Sequence, residues 1–422
     1  MKKNVHIFVS ICLFLIVNSV YSQTSDVGKR FPSEKRTFVD RITGLTITAL
    51  TVPPAGDSKI YQTHPQWTSD GRYIIFRSNR AASKTSQAFA VNEITGDIIQ
   101  LTDGPGTGTG SLNIARKSMR LYFWRGIRGA PLKMVELKLD SLFKDSEAGT
   151  MKSPSAYERI IMTLPEELRE SGGFTLDADE KYAYTGIGFA KDMPRREPND
   201  TAMNRPRPRG PIPQRPGGIR KINLQTGEMF TVIDVPFTMG HVQASPWVSG
   251  DIVYCNETGG DAPQRMWFVR ADGTGNKPLY KETPDEWITH EAWVDSTHVY
   301  FVAMAHQQKL RTKPTGIFSI NVRNDEVKVL GQTNEGNGYW HCNGSSDGKW
   351  AVGDNFAGSI WLINCITGEQ TLLTTDHKMR PDHTHPTFSP DNKRLLFQSG
   401  LLSNGKSLNL MTVTIPSYLQ NR

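Results

Sequence analysis

Cysteine is scarce in this chain, which has four in 422 residues. Cys12 lies in an apolar stretch near the start. The other three, Cys255, Cys342 and Cys365, are an odd and scattered set that does not describe a disulfide scaffold. One bridge or three buried thiols both remain open. Long apolar runs are also missing. The run Ile7 to Val17 is too short for a comfortable transmembrane helix, and no later stretch could span a bilayer. Preceded by Lys2 and Lys3 and followed by Val20-Tyr21-Ser22, it reads as a secretory signal over residues 1–22, cleaved ahead of Gln23. Cys12 sits inside the run rather than at its end, which argues against a lipoprotein anchor. The expected product is a soluble exported protein, periplasmic or secreted, with no membrane insertion after cleavage. A large excess of one charge is lacking as well. The net charge of +7 falls to +5 once Lys2 and Lys3 are removed (7 − 2). That modest excess suits an anionic ligand. No stacking-aromatic motif accompanies it, so nucleic acid is a poor expectation.

What is present is ample material for a core, with 37% hydrophobic and 9% aromatic residues. It is arranged as a repeat. Each unit has a His or aromatic start, a short strand, a Ser/Asp-Asp-Gly turn, an apolar strand, a strand ending near Thr-Gly, and a closing strand. His64-Pro-Gln-Trp-Thr-Ser-Asp-Gly71 leads into Tyr73–Phe76, then Ala90–Gly96 and Ile98–Thr102. Later units show Leu121–Trp124, Phe174–Asp179, Ile252–Tyr254, His290–Trp293, Ser346–Gly348 and, from His385, a seventh opening. Seven units of four short strands read as an all-β, seven-bladed β-propeller in one domain over 23–422. The last unit is one strand short, and Gly44–Thr51 supplies the matching strand, so the ring is expected to close with the N-terminal segment. One stretch breaks the rhythm. Residues 191–221 hold nine Lys or Arg and seven Pro and are read as a basic loop inserted in the third blade. It is either a solvated loop or an arm over a cleft for polyanions.

Strand starts cluster at one mouth of a propeller. His64, His241, His290, His341, His383 and His385 all fall at or just before such openings. A structural reading competes with a chemical one. His-Pro before an aromatic-Ser-Asp sequence is common in TolB-like propeller repeats, where the ring packs or bonds backbone. For His341, His383 and His385 the metal reading is stronger. Residues spaced by two project to one side of a strand, and a third imidazole from the adjacent blade completes a set. Asp382 and Asp376 are nearby oxygen candidates. Gly344-Ser345-Ser346-Asp347-Gly348 matches the serine-hydrolase elbow in form, but it occupies a blade turn with too little chain after it for a hydrolase domain. No mouth Asp/Glu pair stands out for sugar hydrolysis, although Glu291 and Asp261 exist singly.

At Arg265-Met-Trp-Phe268, Ala271-Asp-Gly-Thr274, Thr289-His-Glu-Ala-Trp293 and His383-Thr-His-Pro-Thr-Phe-Ser-Pro-Asp391, the chain resembles the oligogalacturonate lyases. Leu164–Glu167, Ala190–Asp192 and Met239–His241 extend the likeness over nearly the whole mature chain. The resemblance implies a seven-bladed propeller that cleaves pectin-derived oligogalacturonides, or a related acidic oligosaccharide, by β-elimination with a divalent metal. Manganese is the typical ion, with calcium or magnesium as alternatives. It implies His341, His383 and His385 as metal ligands, His290 as the Brønsted base and Arg265 as a catalytic arginine. The family's fourth ligand is a glutamine, and the matching position here is Arg380. A guanidinium has no acceptor, so water or Asp382 would complete the sphere, or Arg380 would face a substrate carboxylate. His64 and His241 are further substrate-binding candidates. The rival expectation is a non-catalytic TolB-like propeller that binds a glycan or protein at its mouth.

Overall fold

The structure is a computed structural model that describes residues 25–83, 85–127, 130–192 and 212–420. The expected signal segment, residues 1–22, lies outside the described residues, as does most of the basic segment. Of the latter, Ala190–Asp192 form a short helical turn and Gly217–Asn223 are strand, so the loop is shorter than the 191–221 read from the sequence.

Seven antiparallel sheets account for the strands. From the axis outward, blade one runs Asp57–Lys59, Tyr73–Ser78, Gln87–Asn92 and Ile98–Gln100, with Arg30–Phe31 added at its rim. The inner strands of the next five blades are Asn113–Ile114, Leu168–Leu176, Met239–Ala244, Ile288–Trp293 and Tyr339–Gly344. Blade seven starts at Thr387–Phe388 and takes its last two strands from the N-terminal segment, Thr46–Ala49 and Arg36–Val39. Ile47 pairs with Val413 and Ala49 with Met411, which closes the ring as expected. Among the described residues no helix is long and apolar enough to cross a membrane.

The repeated turn has a side-chain cause. In blade one Thr68 Oγ1 donates to Asp70 Oδ1 at 2.6 Å, and Asp70 Oδ1 accepts the Arg72 amide at 3.0 Å. The Tyr73 amide in turn donates to Thr68 Oγ1 at 3.1 Å. Ser345 with Asp347 and Ser389 with Asp391 repeat this arrangement. A hydroxyl two residues before an aspartate therefore fixes each hairpin locally. Glycine follows where the chain must turn left-handed, at Gly71 (φ 71°) and Gly348 (φ 72°). The hydrolase-like Ser346 is exposed on the blade-six turn and bonds Asn392 of blade seven, in keeping with the turn reading.

Apolar faces of neighbouring blades pack on each other. Ile47 and Ala49 meet Val352, Leu362, Phe397 and Val413 in one buried cluster that joins blades six and seven. Cys255, Cys342 and Cys365 are free and buried, which resolves the open choice in favour of thiols. Ring closure depends on a strand contributed from the far end of the chain, so it should be sensitive to that strand's core contact. Ile47→Ala is expected to cost about 2–5 kcal/mol through the cavity it leaves, read as a lower urea midpoint. A change below about 0.5 kcal/mol, the range of ordinary surface substitutions, would mean that the closing strand contributes little to the ring.

Candidate functional site

The inner strands are irregular where the histidines sit. Pairing slips between Gly240 and Gln243 in blade four, between Thr289 and Ala292 in blade five, and between Tyr339 and His341 in blade six. His241, His290 and His385 adopt φ of 45°, 54° and 47°. A left-handed conformation costs a non-glycine residue about 1–3 kcal/mol. Bulges of this kind re-aim a side chain out of the pleat. Here they turn imidazoles from several blades toward one another.

One half of the site is the imidazole group of blades six and seven. The rings of His341 and His385 lie 3.8 Å apart between centroids, those of His341 and His383 5.3 Å apart, and those of His341 and His290 4.1 Å apart. Asp354, 1% exposed, holds this group. It lies 3.2 Å from His341 Nδ1 with both oxygens. It also accepts the His341 amide, the Thr384 amide and hydroxyl, and the His385 amide. Burial would raise its carboxyl, but the charge and hydrogen bond of His341, with the charges of His383 and His385, hold it far below the usual range. Asp354 lies close enough to His341 and His383 to share a cation with them. With its lone pairs engaged by these donors, it is better suited to orienting His341 than to ligating.

The open nitrogens are the informative ones. His385 Nδ1 is 2.5 Å from Gln62 Oε1, while its Nε2 is buried without a hydrogen bond and lies 3.2 Å from Asp382 Oδ2. His383 Nδ1 is likewise buried and unbonded. Burial pushes the imidazoles of His341, His383 and His385 below their ordinary pKa, that of His341 to about 4. Neutral rings with buried, unpartnered nitrogens fit a divalent cation. His341, His383 and His385 would hold it, with Asp382 Oδ2 beside the open nitrogen of His385. Arg380 is exposed and makes no ion pair among the described residues. Asp376 is exposed.

The other half belongs to blades four and five. His290 Nδ1 is bonded to the carbonyl of Trp340, and its ring packs on Trp340 at 4.6 Å. Burial, then the charges of His341, His241 and Arg265, push its pKa well down. Arg265 is 3% exposed. Its Nη2 lies 3.5 Å from Glu257 Oε2, its Nε lies 3.6 Å from Glu291 Oε2, and its amide is bonded to Glu282. His241 Nδ1 lies 3.2 Å from Glu291 Oε1. Burial pushes the Glu282 carboxyl up to about 8. Burial would raise Glu291 too, but His241 and Arg265 together hold it down to about 2. Tyr61 joins the halves, with its ring 5.2 Å from His385, 5.8 Å from His241 and 6.4 Å from His341.

Of the residues expected from the sequence, His241, His290, His341, His383, His385 and Arg265 converge. His64 follows the structural alternative. Its Nδ1 is 2.8 Å from Thr63 Oγ1 and its Nε2 3.1 Å from the Phe174 carbonyl, so a substrate bond would have to displace one of them. Tyr61, Gln62, Asp354, Glu257 and Glu282 were not foreseen. Asp354 lies eight residues after Ser346, in the apolar second strand of a blade, where a lone carboxylate was the available signal.

No protein-family model matches the chain. Curated relatives do. The chain is 23% identical over 405 residues to an oligogalacturonate lyase of Dickeya dadantii, covering 88% of this chain and 94% of the relative. It is 21% identical, with the same coverage, to an oligogalacturonide lyase of Pectobacterium atrosepticum. Among solved structures it resembles an oligogalacturonate lyase in complex with manganese (TM-score 0.75, 21% identity, 93% of this chain and 99% of that one). It also resembles an oligogalacturonate lyase from Vibrio parahaemolyticus (TM-score 0.74, 19% identity, 93% and 99%). The resemblance read from the motifs therefore extends over most of the chain, and the propeller fold is shared.

If Asp354 orients His341, Asp354→Asn should weaken binding of a divalent cation by about 10–100-fold, measured by titration calorimetry with manganese. Unchanged affinity in a folded variant would remove Asp354 from this role.

Proposed function

We propose that the protein is a lyase acting on oligogalacturonides or a related uronate oligosaccharide, with a divalent cation, manganese first among candidates, at His341, His383 and His385. One observation carries this reading. A buried, neutral imidazole, His290, lies 4.1 Å from the ring of His341, which groups with His383 and His385, each with a buried unbonded nitrogen, and has the buried Arg265 among its charged neighbours. The similarity to relatives named for this activity supports it.

β-Elimination needs a base for the proton α to the uronate carboxylate and neutralisation of the charge that develops on that carboxylate. His290 fits the first need. The Trp340 carbonyl fixes the proton on Nδ1, which leaves the Nε2 lone pair basic, and burial keeps the ring neutral. Arg265 fits the second. It faces Glu257 and Glu291 at 3.5 and 3.6 Å, longer than hydrogen bonds, and its Nε is unbonded among the described residues, so a donor is available to a substrate carboxylate. A bound divalent cation would add Lewis-acid stabilisation of the same charge. Arg380, exposed at the entry to blade seven, is proposed to meet a further acidic sugar. His64 is kept as a substrate contact only if one of its present bonds opens. The protein is proposed to act outside the cytoplasm because of its first 22 residues. N-terminal sequencing of exported protein should begin at Gln23, and an intact Met1 on exported material would refute cleavage there.

The expected outcome with oligogalacturonide and manganese is growth of the ultraviolet absorbance of a C4=C5 unsaturated uronate, abolished by chelator. His290→Ala should lower the rate by about 10²–10⁴-fold without loss of bound metal. Absence of unsaturated product from every uronate oligomer tried would sink the reading. Wild-type turnover in His290→Ala would remove this residue as the base.

A further inference from the structure

We propose that His241 is the general acid of this site, carried as an imidazolium by Glu291, and that it protonates the departing sugar oxygen. The inference rests on the lyase reading above and adds the half of the reaction that His290 does not perform.

It starts from a charge imbalance. Glu291 is 0% exposed, and among the described residues its side-chain oxygens have two charged neighbours, His241 and Arg265, with no well-aligned hydrogen bond to either. A buried, unbonded carboxylate is costly unless countercharges neutralise it. Two groups are within reach, Arg265 Nε at 3.6 Å and His241 Nδ1 at 3.2 Å. Arg265 is shared with Glu257 at 3.5 Å. The remaining titratable groups nearby do not change the count near pH 7. Burial pushes Glu282 up to about 8, keeps the Cys255 thiol and the Tyr61 phenol protonated, and keeps His290 neutral. Two carboxylates against one guanidinium leave one negative charge. His241 is the remaining group in contact that can carry a countercharge, with Nδ1 3.2 Å from Glu291 Oε1.

A metal ion could in principle play that part, since His241, Cys255 and Glu291 lie close enough to share one. The guanidinium of Arg265 already faces Glu291 there, and the cysteine is a thiol rather than a thiolate. A second cation would meet repulsion and a poor ligand. The geometry also suits donation. His241 Nε2 lies 3.9 Å from Glu257 Oε2, beyond hydrogen-bond reach, so its proton is not committed to that carboxylate. His241 and Glu291 come from the bulges of adjacent blades, and Glu291 directly follows the base His290.

His290 Nε2 takes the C5 proton, and the pair from that C–H bond becomes the C4=C5 double bond. The C4–O4 bond breaks with its pair going to O4, and the proton on His241 Nε2 passes to O4. Exchange with solvent returns both rings to their starting states.

The test separates an acid from a structural residue by the leaving group. His241→Gln and Glu291→Gln are each assayed on an oligogalacturonide and on a galacturonide bearing a 2,4-dinitrophenyl ether at O4, from which the dinitrophenolate leaves without a proton. Tyr61→Phe is run beside them. His241→Gln is expected to lose about 10²–10⁴-fold on the oligomer and to approach the wild-type rate on the dinitrophenyl substrate. Glu291→Gln, a positioning change, should show the same split with a smaller loss. Equal losses on both substrates, or rescue in Tyr61→Phe and not in His241→Gln, overturn the inference while leaving the lyase reading intact. Inactivity of the wild type on both substrates overturns both.

Discussion

The site depends on one buried carboxylate. Asp354 sits on the second strand of blade six and bonds the ring and amide of His341 on the first strand, then Thr384 and His385 at the entry to blade seven. Hydrogen bonds to a charged acceptor contribute about 1.5–3 kcal/mol each, and removing one partner of such a group costs more than the bond itself. The register of two blades and the pose of one imidazole are thus fixed by a single group. Gln398 extends the arrangement from blade seven, donating to Asp382 and to the His383 carbonyl and accepting the Lys59 amide from blade one.

Around that anchor the site divides by charge. On the blade six and seven side, burial makes imidazoles neutral, which leaves lone pairs for a cation. On the blade four and five side, a fully buried carboxylate stays ionised because Arg265 and His241 face it. The same low-dielectric setting has opposite results, depending on whether a countercharge is present. His290 lies against the first group and feels the charges of His241 and Arg265 from the second.

Much of the fold was legible because its devices are local. The Ser/Thr-x-Asp turn is closed by a hydroxyl and a carboxylate two residues apart, and the spacing of such turns along the chain is the spacing of blades. The missing strand of the last unit was legible for the same reason. The convergence of His341 with His383 and His385 could be read from blade order alone. Asp354, Tyr61 and Gln62 could not be read that way. Each acts through a contact between segments far apart in sequence, as when Gln62 reaches His385 across 323 positions. The left-handed backbone at His241, His290 and His385 has only a weak residue-type signal, since glycine is the usual mark of that conformation and histidine a minor one. Arg380 shows the converse. Its register next to the His383–His385 pair is plain in the sequence, yet its side chain is exposed.

Those left-handed histidines also bear on why the mouth is more than a closed end of a repeat. A ring that only packs would have no use for three strained residues, each about 1–3 kcal/mol above its relaxed form, nor for buried nitrogens and carboxylate oxygens without partners. Strain and unmet polarity lower stability, and neither improves blade packing. His64 supplies the internal comparison, because there the ring bonds a hydroxyl and a carbonyl and nothing is left unmet. Where the ring is structural, its polarity is satisfied within the fold. At His383 and His385 a buried ring nitrogen is left unbonded, and at His241 and Glu291 buried atoms of the two side chains meet as an ion pair across adjacent blades.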